Sequence, residues 1–163
     1  MDVQQENFLA ENLRIEPATL EDLPALTDLL YDLFSQEADF EPDQTKQTRG
    51  LRLILEEPKR GRIFVLRFHG RIIGMINLLV TISTAEGGFV LLLEDLIIHQ
   101  DFRSQGFGTQ LLLHAIDYAR EKGFKRITLL TDRLSENSIR FYKRHKFYVS
   151  DMIPMRLILE SSD

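Results

Sequence analysis

The residues whose types and spacing point to chemistry lie in the second half of the chain, where an apolar run meets a glycine-containing turn. The run carries two adjacent carboxylates, Glu94 and Asp95, and the turn has the pattern Arg103-x-x-Gly106-x-Gly108. Glycines allow a backbone to approach a ligand closely, and the first amides of the helix predicted to follow have no acceptor within that helix. Together with the helix dipole and the arginine charge, the pattern predicts a binding site for a pyrophosphate group.

Other phosphate-binding patterns fit this turn less well. A P-loop needs four residues between its glycines and then Lys followed by Ser or Thr, and both features are missing here. A dinucleotide-binding fingerprint needs a third glycine at the position of Leu111 and a parallel sheet, whereas hairpins precede this turn. On these residues alone, a different phosphate ligand and a turn that serves only packing stay open as alternatives.

The composition is typical of a globular protein. A length of 163 residues favours one domain over residues 1–163, with 1–11 as a flexible tail. No apolar run is long enough to predict a membrane span, and the polar N-terminus lacks signal-peptide regions, so the expected location is the cytoplasm. The absence of cysteine excludes disulfides, and the net charge of −5 argues against a nucleic-acid partner. No histidine pair has metal-ligand spacing with a carboxylate, so no metal site is expected.

The pattern of apolar residues predicts the elements that position the turn. A capping box at Thr19 and Asp22 precedes leucines of helical period, and His69-Gly70 suits a two-residue hairpin turn. The predicted strands span 13–15, 62–68, 71–83, 89–98, 126–131 and 155–159. The predicted helices span about 22–33, 43–57, 106–122 and 135–145. The order β-α-α-β-β-β-α-β-α-β predicts an α/β fold with a mixed sheet and helices on its faces.

A second pattern makes a family resemblance specific. Phe141-Tyr142 lies on the last predicted helix, shortly before Phe147 and at a matching distance from the glycine turn. With the element order, the two patterns resemble the GCN5-related N-acetyltransferase (GNAT) superfamily over residues 13–159. The resemblance implies a GNAT fold, with a mixed sheet of about six to seven strands flanked by four helices. Leu-Glu-Asp at 93–95 is most similar to the spermidine/spermine type of small-amine acetyltransferase.

The resemblance implies acetyl-CoA as the cosubstrate and assigns its contacts to two backbone segments. Its pyrophosphate would lie against the backbone of Ser104, Gln105, Gly106, Phe107, Gly108 and Thr109. Its pantetheine arm and thioester carbonyl would bind backbone groups of Leu96, Ile97 and Ile98, where this strand separates from its parallel neighbour. Arg103 would add positive charge, and its alternative role is surface pairing to Asp101 or to solvent.

The resemblance also implies direct transfer of the acetyl group to a bound amine, with two side chains that move protons. Tyr142 would place its hydroxyl at the CoA sulfur as a general acid, and its alternative role is packing of the helix. Strand alternation puts Glu94 on the face of Leu96 and Ile98, where burial would favour a general base that acts directly or through water. The alternative for Glu94 is a hydrogen bond to a neighbouring element.

The chain departs from the family pattern at two places. The family usually has asparagine seven residues before the tyrosine to hold the CoA arm. This chain has Ser135 there and Asn137 two residues later, and Ser135 has the further alternative of capping the helix only. Lys146 replaces the usual glycine before Phe147, which costs on the order of 1–2 kcal/mol if the left-handed backbone is kept.

Acidic residues indicate the class of acceptor. Glu37, Asp39 and Glu41 lie on the loop between the first two helices, which borders the acceptor cleft in this family, and Asp95 would orient the substrate or stabilise the fold. Clustered carboxylates attract ammonium groups, so we expect a small cationic amine as substrate, without nucleic-acid or membrane partners, and a homodimer as a further hypothesis. The alternatives are an ordinary solvated loop, a protein or peptide N-acetyltransferase, and a non-catalytic CoA-binding regulatory domain.

Overall fold

The computed structural model describes residues 12–36 and 41–159 of the chain. The chain divides into two units, the first ending at Leu130 and the second beginning at Thr131. Within these described ranges, the first unit contains the sheet and three α-helices, and the second contains a fourth α-helix.

A five-stranded sheet organises the first unit. Its strands are β1 (Leu13–Pro17), β2 (Gly61–Phe68), β3 (Arg71–Ser83), β4 (Gly88–Ile98) and β5 (Ile127–Leu129). They lie in the order β1-β2-β3-β4-β5, and every neighbouring pair is antiparallel except β4 and β5, which are parallel. The predicted mixed sheet is confirmed, although the described residues form five strands rather than six to seven.

Helices cover both faces of this sheet. The α-helices are α1 (Leu23–Phe34), α2 (Gln44–Glu56), α3 (Phe107–Glu121) and, in the second unit, α4 (Glu136–Arg144). On one face, Leu26 of α1 and Leu51 of α2 share the main hydrophobic core with Met75 and Ile97. On the other face, the ring of Phe64 contacts side chains of α3. No helix within the described ranges is long and apolar enough to cross a membrane.

Two local sequence signals have the predicted structural effect. The backbone N–H of Thr19 donates to Oδ2 of Asp22 at 2.9 Å just before α1, as a capping residue pair requires. The same carboxylate accepts from Nη2 of Arg67 at 2.7 Å, and this hydrogen bond raises the pKa of Arg67. Asp22 therefore ties the start of α1 to β2. In the β2–β3 hairpin, His69 and Gly70 have φ angles of 48° and 76°, which a type I′ turn demands.

The second unit contains α4 and the segment that follows it. The predicted strand at 155–159 is wrong, because these residues have no regular secondary structure. A strand forms only with a hydrogen-bonded neighbour, and residues 131–159 contain no other strand to supply one. Large apolar side chains of this segment are exposed instead, among them Met155 and Leu157.

Gly74 of β3 allows α3 to lie close to the sheet. A Cβ atom at this position would lie 2.6 Å from Cδ1 of Ile98 and 3.1 Å from Cδ1 of Leu111. We expect Gly74→Ala to lower the free energy of unfolding by about 1–3 kcal/mol, because overpacking displaces neighbouring side chains. Gly50→Ala is the control, since no atom lies within 4 Å of its added Cβ, and it should stabilise α2 by about 0.5–1 kcal/mol. Urea unfolding measures both variants, and equal effects would contradict the close approach.

Candidate active site

A β-bulge interrupts the pairing of β4 with β3 at the two predicted carboxylates. Leu93 pairs with Leu78, and Asp95 pairs with Asn77, which leaves Glu94 as an extra residue without a partner in this ladder. A bulge of this kind re-aims side chains and increases the local twist of its strand. The two carboxylates therefore occupy different environments although they are adjacent in sequence.

The bulge changes which side chains of β4 share a face. Leu96 pairs with Ile76 and Leu93 pairs with Leu78, so Leu93 rather than Glu94 shares the face of Leu96. The predicted placement of Glu94 is wrong, because simple alternation fails where a strand contains an extra residue. Its predicted burial is also wrong, since the Glu94 side chain is exposed.

Asp95 lies on the face that α1 and α2 cover, and it has a buried partner. The Asp95 side chain accepts at Oδ2 from Nδ2 of Asn77 at 3.0 Å, and the two residues are 7% and 2% exposed. The other amide atom of Asn77, Oδ1, is buried and has no hydrogen-bond partner among the described residues. The role of Asn77 was not predicted from the sequence, although a single asparagine within the otherwise apolar run 72–80 indicates a buried polar contact.

The opposite edge of β4 is paired over only part of its length. The parallel ladder with β5 ends where Leu93 pairs with Leu129, one residue before the bulge. Residues 94–98 have no ladder with β5, so this edge presents backbone N–H and C=O groups of the kind that bind extended ligands. This is the geometry expected of the predicted pantetheine-binding residues Leu96, Ile97 and Ile98, whose contact with the ligand stays a prediction.

The glycine turn joins β4 to α3 through left-handed backbone. Ser104 has a φ angle of 60° and Gly106 one of 85°, and Gly106 is the N-cap of α3. A Cβ atom at Gly106 would find no protein atom within 4 Å, so the space at the cap is open. The first helical hydrogen bond runs from N of Gln110 to the Gly106 carbonyl, so the amides of residues 107–109 have no acceptor within the helix.

Side chains near the turn anchor it or surround it. Phe107 is 4% exposed and holds the start of α3 in the core, whereas Ser104 and Gln105 are exposed. The backbone amides of residues 107–109 are the groups of this cap that the predicted pyrophosphate contact would use.

Arg103 is held at the entrance to the turn. Its Nε donates to the Ile98 carbonyl at 2.9 Å, and its Nη1 donates to Oε1 of Gln36 at 3.4 Å. Asp101, the alternative partner in the sequence, lies with Oδ2 3.7 Å from Nδ1 of His99 instead. The exposed guanidinium thus fixes the end of β4 and adds positive charge beside the open cap.

The second unit contains the predicted acid, Tyr142, on α4. Its ring is half-buried and lies 5.1 Å from the ring of Phe141 and 5.6 Å from that of Phe147, measured between centroids. Packing is therefore one role of Tyr142, and proton donation by its hydroxyl stays a prediction.

The departures from the family pattern also have a structural description. Ser135 occupies the N-cap of α4, but its hydroxyl donates to Oγ of Ser138 at 2.8 Å and does not accept the capping hydrogen bond from a backbone N–H of the helix. Asn137 is exposed in the first turn of α4. Lys146 keeps the left-handed backbone with a φ angle of 69°, at a cost on the order of 1–2 kcal/mol relative to glycine.

Two predicted acceptor-binding residues, Glu37 and Asp39, lie outside the described residues, and Glu41 is exposed. Within residues 12–36 and 41–159, no three His, Asp or Glu side chains lie close enough together to hold a metal ion.

Comparison with known families decides the relationship. The model of the acetyltransferase (GNAT) family matches residues 23–147. The chain belongs to this family. Membership of this family agrees with the predicted class, an N-acetyltransferase among the acyltransferases.

Individual relatives agree with the family and differ in their named substrates. Streptothricin acetyltransferase A of Bacillus subtilis (strain 168) is 36% identical over 58 residues, which are 36% of this chain and 34% of that protein. The chain thus spans about a third of that relative. Aminoalkylphosphonate N-acetyltransferase of Salmonella typhimurium is 27% identical over 130 residues, or 80% of this chain and 81% of that protein. The structure of a possible acetyltransferase from Clostridium difficile 630 superposes with a TM-score of 0.84, covering 91% of this chain and 99% of that one, at 17% identity.

Substitution of Gly106 tests the open cap as a phosphate site. Gly106→Val puts a branched side chain where a pyrophosphate would lie, and we expect CoA binding, measured by calorimetry, to be lost. Gly87→Val is the matched control, because Gly87 has a φ angle of 67° and likewise no atom within 4 Å of an added Cβ. Both variants should lose about 1–2 kcal/mol of stability through backbone strain, and only Gly106→Val should lose CoA. Equal CoA affinity in the two variants would contradict the site, as would equal affinity of the wild-type protein for CoA and dephosphorylated pantetheine.

Proposed function

We propose that this chain is an acetyl-CoA-dependent N-acetyltransferase that moves an acetyl group directly to a primary amine of a small, cationic substrate. The unpaired edge of β4 supports this proposal most directly, because it leads into the open N-cap of α3. An extended edge followed by a helix N-terminus suits a ligand that has an amide-containing arm and a pyrophosphate. Membership of the GNAT family supports acetyl-CoA as that ligand.

In this proposal, backbone groups and the positive charge of Arg103 bind acetyl-CoA. The amides of residues 104–109 donate hydrogen bonds to the pyrophosphate, Arg103 adds positive charge, and residues 96–98 hold the arm and polarise the thioester carbonyl. Ser135 or Asn137 replaces the asparagine usual in the family. Most of the rate acceleration then comes from the positioning of two bound reactants and from stabilisation of the charge that develops on the carbonyl oxygen.

Two side chains move protons in the proposed reaction. An amine that arrives as ammonium must lose a proton before it attacks the thioester carbon, and we assign that proton to Glu94, directly or through a water molecule. The exposure of Glu94 beside the unpaired edge supports this assignment, since water reaches the carboxylate. When the carbon–sulfur bond breaks, the departing CoA thiolate takes a proton from the Tyr142 hydroxyl, and the second proton that the new amide nitrogen loses restores this hydroxyl.

The acceptor is the least constrained part of the proposal. The named relatives act on streptothricin and on aminoalkylphosphonates, which are different kinds of molecule, so neither name determines the substrate here. The acidic residues Glu37, Asp39 and Glu41 favour a cationic acceptor, and the tripeptide at 93–95 makes polyamines the first class to test. Release of free CoA from acetyl-CoA in the presence of such an amine is the direct test, and it separates an enzyme from a non-catalytic CoA-binding domain.

Tyr142→Phe removes only the hydroxyl proposed to act as the acid. We expect kcat to fall about 10²–10⁴-fold while CoA affinity stays unchanged, because the hydroxyl acts mainly in the transition state. Tyr148→Phe is the matched control, since Tyr148 is 85% exposed and should tolerate the change without effect. A kcat equal to that of wild type in Tyr142→Phe would restrict Tyr142 to packing.

An acceptor panel tests the substrate class. The panel contains polyamines, aminoglycosides, an aminoalkylphosphonate, lysine-like amino acids, aromatic amines and peptide N-termini, and we expect the highest kcat/KM for a polycationic member. Charge reversal at Glu37, Asp39 and Glu41 should raise KM for that acceptor, and added salt should reduce the difference through screening. A best acceptor that is neutral or anionic apart from its reacting amine would contradict the proposed class, and a peptide as best acceptor would favour a protein N-acetyltransferase.

A further inference from the structure

We infer that Asn77 is a positioning residue, which fixes the bulged register of β4 through its hydrogen bond to Asp95 and so places Glu94 for proton transfer. The register itself is a property of the fold. Only its consequence for turnover rests on the proposed function of Glu94.

Two pairings of β4 with β3 compete at this point. In the observed pairing, Asp95 lies opposite Asn77 and Glu94 is extra. Without the bulge, the same ladder would continue from the Leu93–Leu78 pair with Glu94 opposite Asn77. A slip of one residue moves every following side chain to the other face of the sheet. Asp95 would then enter the core under α3 and lose its amide partner.

The apolar residues of this segment discriminate weakly between the two pairings. Residues 96–98 are Leu, Ile and Ile, and both faces of the sheet are covered by helices. A slip therefore puts Leu96 and Ile97 in the places of Ile97 and Ile98, which are apolar side chains of similar size, and puts Asp95 in the place of Leu96. Asp95 is the single polar residue in 95–98, so its environment distinguishes the bulged register from the regular one.

Asn77 supplies the environment that Asp95 requires. It is 2% exposed, it faces Asp95 directly across the ladder, and its Nδ2 lies 3.0 Å from Oδ2. Its other amide atom, Oδ1, is buried without a partner among the described residues, which is unfavourable for stability. Buried polar pairs of this kind contribute little net stability, and their best-attested use is to select one register. The Asn77–Asp95 pair therefore determines the position of Glu94 and contributes little to the free energy of unfolding.

Exchanging the side chains of Asn77 and Asp95 distinguishes a positioning role of the pair from a direct effect of the Asp95 charge on the substrate. Asn77→Leu removes the Nδ2 donor to Asp95, and we expect kcat to fall about 10²-fold, as for a misplaced catalytic group. The double variant Asn77→Asp/Asp95→Asn restores an amide–carboxylate pair in the reverse direction and should restore kcat. A swap that leaves kcat low while hydrogen exchange of residues 93–96 returns to the wild-type pattern would overturn the inference, because the charge at position 95 would then act on the substrate itself.

A double-mutant cycle tests whether Asn77 acts through Glu94. If it does, the fold reduction of kcat by Asn77→Leu is smaller in the Glu94→Gln background than in the wild-type background, because the group it positions is already disabled. Additive losses would overturn the inference.

Hydrogen exchange tests the register independently of the proposed base. If Glu94→Gln has wild-type turnover, the proposed base is wrong, and hydrogen exchange alone decides the register. Faster exchange of residues 93–96 in Asn77→Leu then supports the inference, and unchanged exchange contradicts it. Asn77→Ser repeats each measurement if the leucine variant does not fold.

Discussion

The proposed site depends on one constraint, which is that β4 is paired along its edge with β3 but released along most of its edge with β5. The release begins at Glu94, immediately after the last pair with β5 and at the position where the ladder with β3 contains the bulge. A bulge increases the right-handed twist of its strand, which favours separation from a parallel neighbour from that residue onward. Since residues 94–98 have no ladder with β5, backbone groups of this edge are available to a ligand, except the Ile98 carbonyl, which accepts from Arg103.

The end of β4 and the start of α3 must then be held in a fixed relation. Three contacts do this from different directions: Phe107 is buried below the cap, Arg103 bonds the Ile98 carbonyl, and Gly74 lets α3 approach β3. Among the described residues, no atom apart from the chain neighbours and the backbone of α3 lies within 4 Å of a Cβ built at Gly106. A helix N-terminus that is rigid and unobstructed is the form in which the dipole and free amides bind an anion best.

Most helices and strands could be predicted from local sequence patterns. The incorrect predictions concern features that depend on pairing with residues distant in sequence. The bounds of β1 to β5 and of the helices lie within two residues of the predicted ones, because alternation, helical period, the Thr19–Asp22 cap and the His69-Gly70 turn are local signals. The bulge escaped prediction because a run of apolar residues around Glu94 gives no local sign of an extra residue. The strand at 155–159 failed since a strand exists only with a neighbour. The glycine turn was visible in the sequence, but Asn77 was recognised only from the pairing of β3 with β4.

The two adjacent carboxylates of β4, Glu94 and Asp95, lie in different environments although they follow one another on the same strand. Asp95 is buried against an amide on the side of the main core, where its carboxylate is held in one orientation. Glu94 has no ladder partner, is exposed and borders the unpaired edge. Carboxylates in different environments perform different tasks: here the shielded Asp95 bonds a buried amide, whereas the accessible Glu94 is the proposed base. Had the chain kept regular alternation, both would have been ordinary strand residues on opposite faces. The single extra residue in β4 therefore coincides with the end of the pairing to β5 and presents a carboxylate beside the edge that would receive an acyl donor.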